Sequence, residues 1–121
     1  MKSIRLYGTT DGSGDLTVTG SRAIQGEICK VAWIDGTFDD GVDAVISVTG
    51  FDYDETILTL TNANSDKSYY PRHVMHTSAG ADLTGTAGYD LTEPFVVGTP
   101  KLVVSSGGDT KSGGCVIYYE D

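Results

Sequence analysis

The clearest pattern of hydrophobic and polar positions spans residues 26–49 and predicts a strand, an acidic turn and a second strand. Glu27–Ile34 is apolar at nearly every position except Lys30, which is typical of a strand covered on both faces. The Asp and Gly residues that follow favour a turn because they accept turn dihedral angles. Ala44–Thr49 then alternates, so one of its faces is predicted to be buried. Trp33, the only tryptophan, ends the first strand, and we expect its ring to anchor the core.

Short apolar segments continue this pattern through the rest of the chain. Ser3–Thr9 and Asp15–Thr19 flank a Gly-rich turn and predict an opening hairpin. Later strands are predicted at Thr56–Thr61, at Tyr69–Met75 (an edge or irregular strand, because of Pro71), at Pro94–Val97, at Leu102–Ser105 and at a central Cys115–Glu120. Gly98–Pro100 and Gly107–Gly114 are predicted turns, and the aperiodic Thr77–Thr92 is predicted to be an exposed loop.

The sum of these segments predicts the fold class. No helical periodicity persists for three turns, and about eight or nine short strands follow one another at regular spacing. We therefore expect an all-β fold, a single-domain antiparallel β-sandwich over residues 1–121. The pattern leaves two windings open, a jelly-roll-like one and a hairpin meander.

The charge of the chain narrows its partners. Eight basic and 17 acidic residues give a formal net charge of −9, so nucleic acid and anionic membranes would repel the protein. No apolar run approaches the ~18 residues of a membrane span, and the start MKSIRLYG lacks the apolar segment of a signal peptide. We expect a protein that is made and kept in the cytoplasm of its producer, with neither nucleic acid nor membrane as partner.

The two cysteines, Cys29 and Cys115, each lie in an apolar strand and form no CxxC pair. We expect them to be small core residues that stay reduced. A disulfide between them is the alternative.

Catalytic motifs are not evident. His73 and His76 are three residues apart, which places them on opposite faces of a strand, and no GxSxG sequence accompanies them. Two facing glycosidase carboxylates cannot be nominated among so many acids. The Gly-rich runs at 85–88 and 107–114 lack the spacing of a phosphate loop. The prediction is a protein that is not an enzyme, without catalytic residues, metal or cofactor.

Calcium binding is the alternative that acidic turns raise. Alternating oxygen ligands could come from Asp11, Ser13 and Asp15, or from Asp35, Asp39, Asp40 and Asp43. Neither set has the central Gly and the final bidentate Glu of a twelve-residue calcium loop. We expect hydrogen-bonded turns instead.

Two surface features suggest contacts with a partner. From residue 31 to 65 the chain has seven acidic residues and no Lys or Arg, which indicates either solvated turns at one end of the sandwich or a docking surface for a basic partner. Tyr69, Tyr70, Arg72 and His73 bring together residue types that are enriched at interfaces. These four residues are the predicted partner contacts, and a half-buried edge strand is the alternative interpretation.

Taken together, several segments resemble the small head proteins of tailed bacteriophages, of the capsid decoration or cement type. The segments are TVTG, VAWIDGTFDDGVDAVISVTG, LTLTNANSDKSYYPRH, AGADLTGTAG and KLVVSSGGDTKSGGCVIYYED, which cover most of the chain in order. The resemblance implies a non-enzymatic β-sandwich that binds the major capsid protein on the outer surface of the head. It also implies a homo-oligomer, a dimer or trimer, located on the virion. No functional residue carries over, because such proteins share no binding motif.

Two other functions remain open at this stage. One is a receptor- or glycan-binding module displayed on a virion, in which exposed aromatic rings would stack against the ligand. The other is a tail or connector protein that is present in few copies.

Overall fold

The structure, a computed structural model, describes residues 1–50, 52–83 and 91–121. Strands are the regular secondary structure of these residues, which contain no helix, so the all-β prediction is confirmed. The ten strands are β1 (Lys2–Thr9), β2 (Leu16–Thr19), β3 (Ile24–Ile34), β4 (Asp43–Thr49), β5 (Asp54–Leu60), β6 (Lys67–Tyr69), β7 (His73–Val74), β8 (Leu91–Thr92), β9 (Phe95–Ser105) and β10 (Ser112–Glu120). The sequence predicted one or two strands fewer, because β7 and β8 are only two residues long.

The strands form two antiparallel layers of four, in the orders β1-β10-β3-β6 and β2-β9-β4-β5. The start of β3 also pairs with the start of β9, so the eight strands belong to one continuous, folded-over sheet. The first strand lies beside the last, and each layer alternates early and late strands, which is the strand order of a jelly roll. The β-sandwich prediction is therefore confirmed, with the jelly-roll winding. β7 and β8 form a separate two-stranded ribbon between β6 and β9.

The predicted opening hairpin is wrong. β1 pairs with β10 and β2 pairs with β9, so the two strands lie in opposite layers. They face each other across the interior, where Gly8 leaves space for the side chain of Leu16. Both strands then place their apolar faces in one shared core, because the turn between them passes the chain from one layer to the other.

β3 is fully buried on one face only, which differs from the prediction of a strand covered on both faces. Ile24 and Ile28 are buried at even positions, whereas Val31 and Trp33 are buried at odd ones. The buried positions change from even to odd at a β-bulge at Cys29. Tyr118 pairs with Lys30 and the next residue, Tyr119, pairs with Ile28, so Cys29 is the extra residue. The opposite face of the strand is only half-buried between the bulge and the end of the strand.

The predicted turn at Gly98–Pro100 is also wrong, since β9 runs through it as one strand of 11 residues. Gly98 has φ +148° and lies against the backbone of Thr49, so this position has no space for a side chain. β9 exchanges its partner here, from β3 up to Gly98 to β4 from Thr99 onwards. Gly98, a predicted turn residue, therefore marks the crossing of β9 between the layers.

The predicted turn at Gly107–Gly114 is shorter than expected. Its last two glycines lie within β10, where side chains added at Gly113 and Gly114 would meet the ring of Phe38 and the backbone of Leu6. These glycines allow neighbouring groups to approach the sheet closely. β10 lies between β1 and β3, so the prediction of a central last strand is confirmed.

The core contains side chains from both layers, and Trp33 is its largest fully buried residue. The indole stacks on Phe38 with 5.7 Å between ring centroids, and its Nε1 donates a hydrogen bond to the carbonyl oxygen of Ala63 at 3.0 Å. The prediction that Trp33 anchors the core is confirmed. Cys115 and Cys29 are both free thiols, and burial raises the pKa of Cys115 to about 12.

The segments between β6 and β9 follow their predictions in part. The predicted strand Tyr69–Met75 is interrupted at the buried Pro71, which separates β6 from β7. The predicted loop Thr77–Thr92 begins as an exposed turn, yet Leu91 and Thr92 form β8. Residues 84–90 of that loop lie outside the described residues.

Candidate functional site

The four predicted contact residues differ in exposure and in the residues that they contact. Tyr69 is half-buried, pairs with Val31 of β3 and packs against the core, while the Lys67 ammonium lies 5.1 Å from its ring centroid. Tyr69 therefore contributes mainly to stability. Tyr70 is 60% exposed and precedes the buried Pro71.

Arg72 and His73 follow Pro71 and face acidic residues from other segments. Arg72 Nη2 is 3.7 Å from Glu93 Oε1, and its Nη1 donates to the carbonyl oxygen of Pro71 at 2.7 Å. His73 Nδ1 lies 3.8 Å from Glu55 Oε1 in β5. These two residues join the β7–β8 ribbon to β5 and to the segment that leads into β9.

A groove of about 320 Å³ lies beside His73, and Glu55 belongs to both. Tyr53, Phe95 and Val97 provide its exposed apolar wall, with 73%, 58% and 43% of their surfaces accessible. We call it the Tyr53–Phe95 groove. Exposed aromatic rings that lie together are a common mark of a binding surface.

Phe95 and Val97 are surface residues that the sequence pattern did not predict. Their segment, Pro94–Val97, is apolar at all four positions, which predicts a strand but does not indicate which of its faces is exposed. Since Val96 is buried, strand periodicity requires Phe95 and Val97 to point outward. The sequence signal for a contact surface was the presence of apolar residues, Phe95 and Val97, at alternate positions that strand periodicity places on the solvent face.

The histidines do not form a shared metal site. His76 Nε2 lies 3.0 Å from Asp82 Oδ1, whereas His73 faces Glu55. No group of three or more potential metal-ligating side chains occurs among the residues that the structure describes.

The first calcium candidate is a hydrogen-bonded turn. Asp11 Oδ1 accepts hydrogen bonds from the backbone N–H groups of Ser13 and Asp15, at 2.8 and 3.1 Å. The carboxylate oxygen is used by the turn itself, which is the Asx-turn geometry expected for Asp in this position.

The acidic residues from 31 to 65 lie at both ends of the sandwich, which corrects the prediction of a single end. Asp35, Asp39 and Asp40 follow β3, whereas Asp52, Asp54 and Glu55 lie beyond the far end of β4. Asp54 binds the Lys101 ammonium at 3.1 Å, and this contact lowers the pKa of the carboxyl group. The two acidic groups are therefore separate surfaces.

The end that carries Asp35 gathers four loops, at residues 10–15, 35–42, 61–66 and 106–111. Backbone hydrogen bonds join them, from Asp39 N to Gly107 O and from Gly107 N to Gly14 O. These loops contain seven aspartates and one lysine, a net charge of −6 of the total −9. We call this surface the acidic end: its aspartates are Asp11, Asp15, Asp35, Asp39, Asp40, Asp66 and Asp109.

Asp35 is the most perturbed carboxylate of the acidic end. Its Oδ1 atom is buried and accepts no hydrogen bond in the described structure. Burial raises the pKa of this carboxyl group, and the neighbouring carboxylates of Asp66 and Asp40 raise it further. The second calcium candidate therefore contains one carboxylate that the fold holds in an unfavourable environment.

Comparison with known proteins gives no independent assignment. Neither the protein-family models, nor the curated proteins, nor the solved structures contain a match to this chain. Across the residues that the structure describes, no helix has the length and apolar character needed to cross a membrane.

Proposed function

We propose that the protein is a non-enzymatic decoration (cement) protein of a tailed bacteriophage head, which binds the major capsid protein on the outer capsid surface. The Tyr53–Phe95 groove, the neighbouring His73 and the preceding residue Arg72 form the contact surface of this proposal. The exposure of Tyr53 and Phe95 beside one another is the observation that carries it.

The energetics favour burial of this surface against a partner. Tyr53 and Phe95 are more than half exposed, and full burial of a large apolar side chain is worth about 1.5–3 kcal/mol. Two such side chains would form the centre of a contact, because aromatic residues dominate binding energy where water is excluded. A decoration protein needs only a modest affinity per copy, since neighbouring sites on a shell add avidity.

The rim of the groove supplies orientation. Arg72–Glu93 and His73–Glu55 are partly exposed pairs at distances of 3.7 and 3.8 Å, which are loose contacts. A capsid side chain could replace either partner in such a pair at low cost, because exposed ion pairs contribute little. Residues of this kind set the register of a contact more than its affinity.

The fold agrees with the proposal at the level of analogy. Jelly rolls occur in viral capsid domains and in lectins. A fold hosts many functions, so the groove and the sequence resemblance carry the argument.

The test measures the binding of purified protein to heads of the source phage that lack it. We expect Phe95→Ser combined with Tyr53→Ala to reduce occupancy at least tenfold, and Arg72→Ala to reduce it less. The matched control is Val45→Ser with Val103→Ser, since both valines are 37% exposed, pair with each other across β4 and β9, and do not line the groove. Unchanged occupancy of the groove variant at equal concentration would contradict the proposal.

Copy number in purified particles separates the head assignment from a tail or connector role. Quantitative mass spectrometry should find a number of copies comparable with that of the major capsid protein. A few copies per particle would assign the protein to the tail or connector.

A glycan-binding module is the second candidate, and the composition of the groove favours it. Asp52 and Glu55 line the groove beside Tyr53. Their carboxylates, which can accept hydrogen bonds from sugar hydroxyl groups, therefore lie next to a flat ring that could stack on a sugar. Binding to a glycan array that Tyr53→Ala abolishes, together with unchanged head occupancy, would establish this function instead.

A further inference from the structure

The outer face of the β1-β10-β3 layer differs from the rest of this acidic protein. Strand register places the central outward residues of this face in three rows of three, in which the two cations are Arg5 and Lys30. It places the exposed Glu27 and Glu120 at the edge of the face, beyond the row of Lys30. Tyr7 and Tyr118 lie in the same rows, and none of the nine positions holds an acidic residue. We call this surface the basic–aromatic face.

The cations of this face rest on aromatic rings. The guanidinium of Arg5 lies 4.3 Å from the ring centroid of Tyr7, and the ammonium of Lys30 lies 5.2 Å from that of Tyr118. Among the described residues, no carboxylate lies within 4.0 Å of either cation. Cation–π contacts hold the charges in place and leave them able to attract an anion.

We propose that the basic–aromatic face binds the acidic end of a second copy of this chain. The acidic end has a net charge of −6 and is built from loops at the edge of the sandwich, whereas the face is formed by paired strands. A whole molecule with charge −9 repels its copies, so self-association is least costly where this face meets that end. The inference does not depend on the proposed head-binding role.

The two surfaces are different parts of the molecule, so the contact is heterologous. Such a contact closes into a ring when its rotation permits and otherwise extends into a chain. Three strands at ~4.8 Å spacing and three rows at ~6.8 Å give a small contact surface. An interface of that size gives weak association, with a Kd on the order of 10 µM to 1 mM.

Salt gives the first test, by sedimentation velocity on the purified full chain. Association through complementary charges should weaken at least tenfold between ~0.05 and ~0.5 M NaCl, because the Debye length falls over this range. Association through apolar surfaces would be unchanged or stronger in high salt, because screening reduces the repulsion between copies. A chain that stays monomeric at ~1 mM protein in low salt would overturn the proposal.

A pair of charge reversals gives the second test. The face variant Arg5→Glu with Lys30→Glu, and the end variant Asp40→Lys with Asp109→Lys, should each lose self-association. A mixture of the two should associate again, because each variant retains the surface that the other lacks. Lys101→Glu with Arg72→Glu is the control for net charge, as neither residue lies on the face or at the acidic end.

The mixing experiment also guards against loss of folding. An unfolded variant could not restore association in the mixture, so restoration supports the proposal. If both variants keep the circular dichroism spectrum of the original protein and the mixture stays monomeric, the face and the acidic end do not bind each other. Loss of association in the control as well would show that net charge alone governs it, which also overturns the proposal.

Discussion

Replacing Gly98 with alanine tests whether the crossing of β9 between the two layers depends on this glycine. Gly98 has φ +148°, and a Cβ at this position would overlap the carbonyl oxygen of Thr49. The substitution therefore requires either a strained backbone or a displacement of β4, to which β9 is hydrogen-bonded from the next residue onward.

The expected cost is the sum of two effects. An alanine held at a φ of +148°, a sparsely populated backbone region, costs about 1–3 kcal/mol. Moving the Thr49 carbonyl disturbs one or two ladder hydrogen bonds and the packing of Val48, which adds roughly 2–3 kcal/mol. The total, roughly 3–6 kcal/mol, is a large part of the free energy of unfolding, roughly 6–18 kcal/mol, that a chain of 121 residues is expected to have.

The measurement is urea unfolding followed by the fluorescence of Trp33, which is 2% exposed and is the only tryptophan. Gly80→Ala is the matched control, because Gly80 also has a positive φ, +85°, but no other part of the described chain lies within 4 Å of an added Cβ. It should cost about 1 kcal/mol. If the free energies of unfolding of the two variants agree within about 1 kcal/mol, the steric argument at Gly98 is wrong.

Three further predictions concern titratable groups. Asp35→Asn should raise the free energy of unfolding at pH 7 by roughly 0.5–1 kcal/mol, because it removes an unfavourably buried charge beside Asp66. Because folding raises the pKa of Asp35, its destabilising effect appears as pH rises from the unfolded pKa to the folded pKa. The stability gained by Asp35→Asn should therefore vanish below pH 4, as measured by chemical denaturation. An equal gain in stability at low pH would contradict this. Lys101→Met should return the lowered pKa of Asp54 towards its ordinary value, as measured by NMR titration. The stabilisation that this ion pair gives at pH values above the unfolded pKa of Asp54 should then disappear. An unchanged titration would show that the pair does not persist in solution. Cys115, with a pKa of about 12, should resist iodoacetamide at pH 8 until urea unfolds the protein, and mass spectrometry would detect any earlier labelling.

The candidate site could be predicted only in part from the sequence. His73 contacts Glu55, which lines the Tyr53–Phe95 groove, whereas Tyr69 packs partly against the core. Residue type alone could not distinguish a contact residue from a half-buried one such as Tyr69, because aromatic residues are enriched both in interfaces and in half-buried edge strands. Phe95 was missed because its partner in the groove, Tyr53, is distant in sequence.

The acidic residues show the same limit. Their positions in turns followed from the sequence, since Asp accepts turn geometry. Their division between two ends required the path of β4, which carries the chain from one end to the other. The basic–aromatic face was not predictable, because Arg5, Lys30 and Tyr118 come together through the pairing of three strands.

The sequence by itself determined the class of the fold and, in most strands, which side chains are buried. Alternation with a period of two decides which face of a strand is apolar, and an apolar face must find a core. It also identified Trp33 as the anchor, since the largest apolar side chain gains most from burial. These are local properties of the chain.

Only the tertiary structure decided which strands are neighbours. β1 joins β10 across more than 100 residues, and β2 joins β9, although a hairpin between β1 and β2 was locally compatible. Similar apolar faces compete for the same partners, so the choice depends on how both layers close around one core. A glycine such as Gly98 fits two structures in the same way, because a turn and a close crossing of strands both require a residue without a side chain.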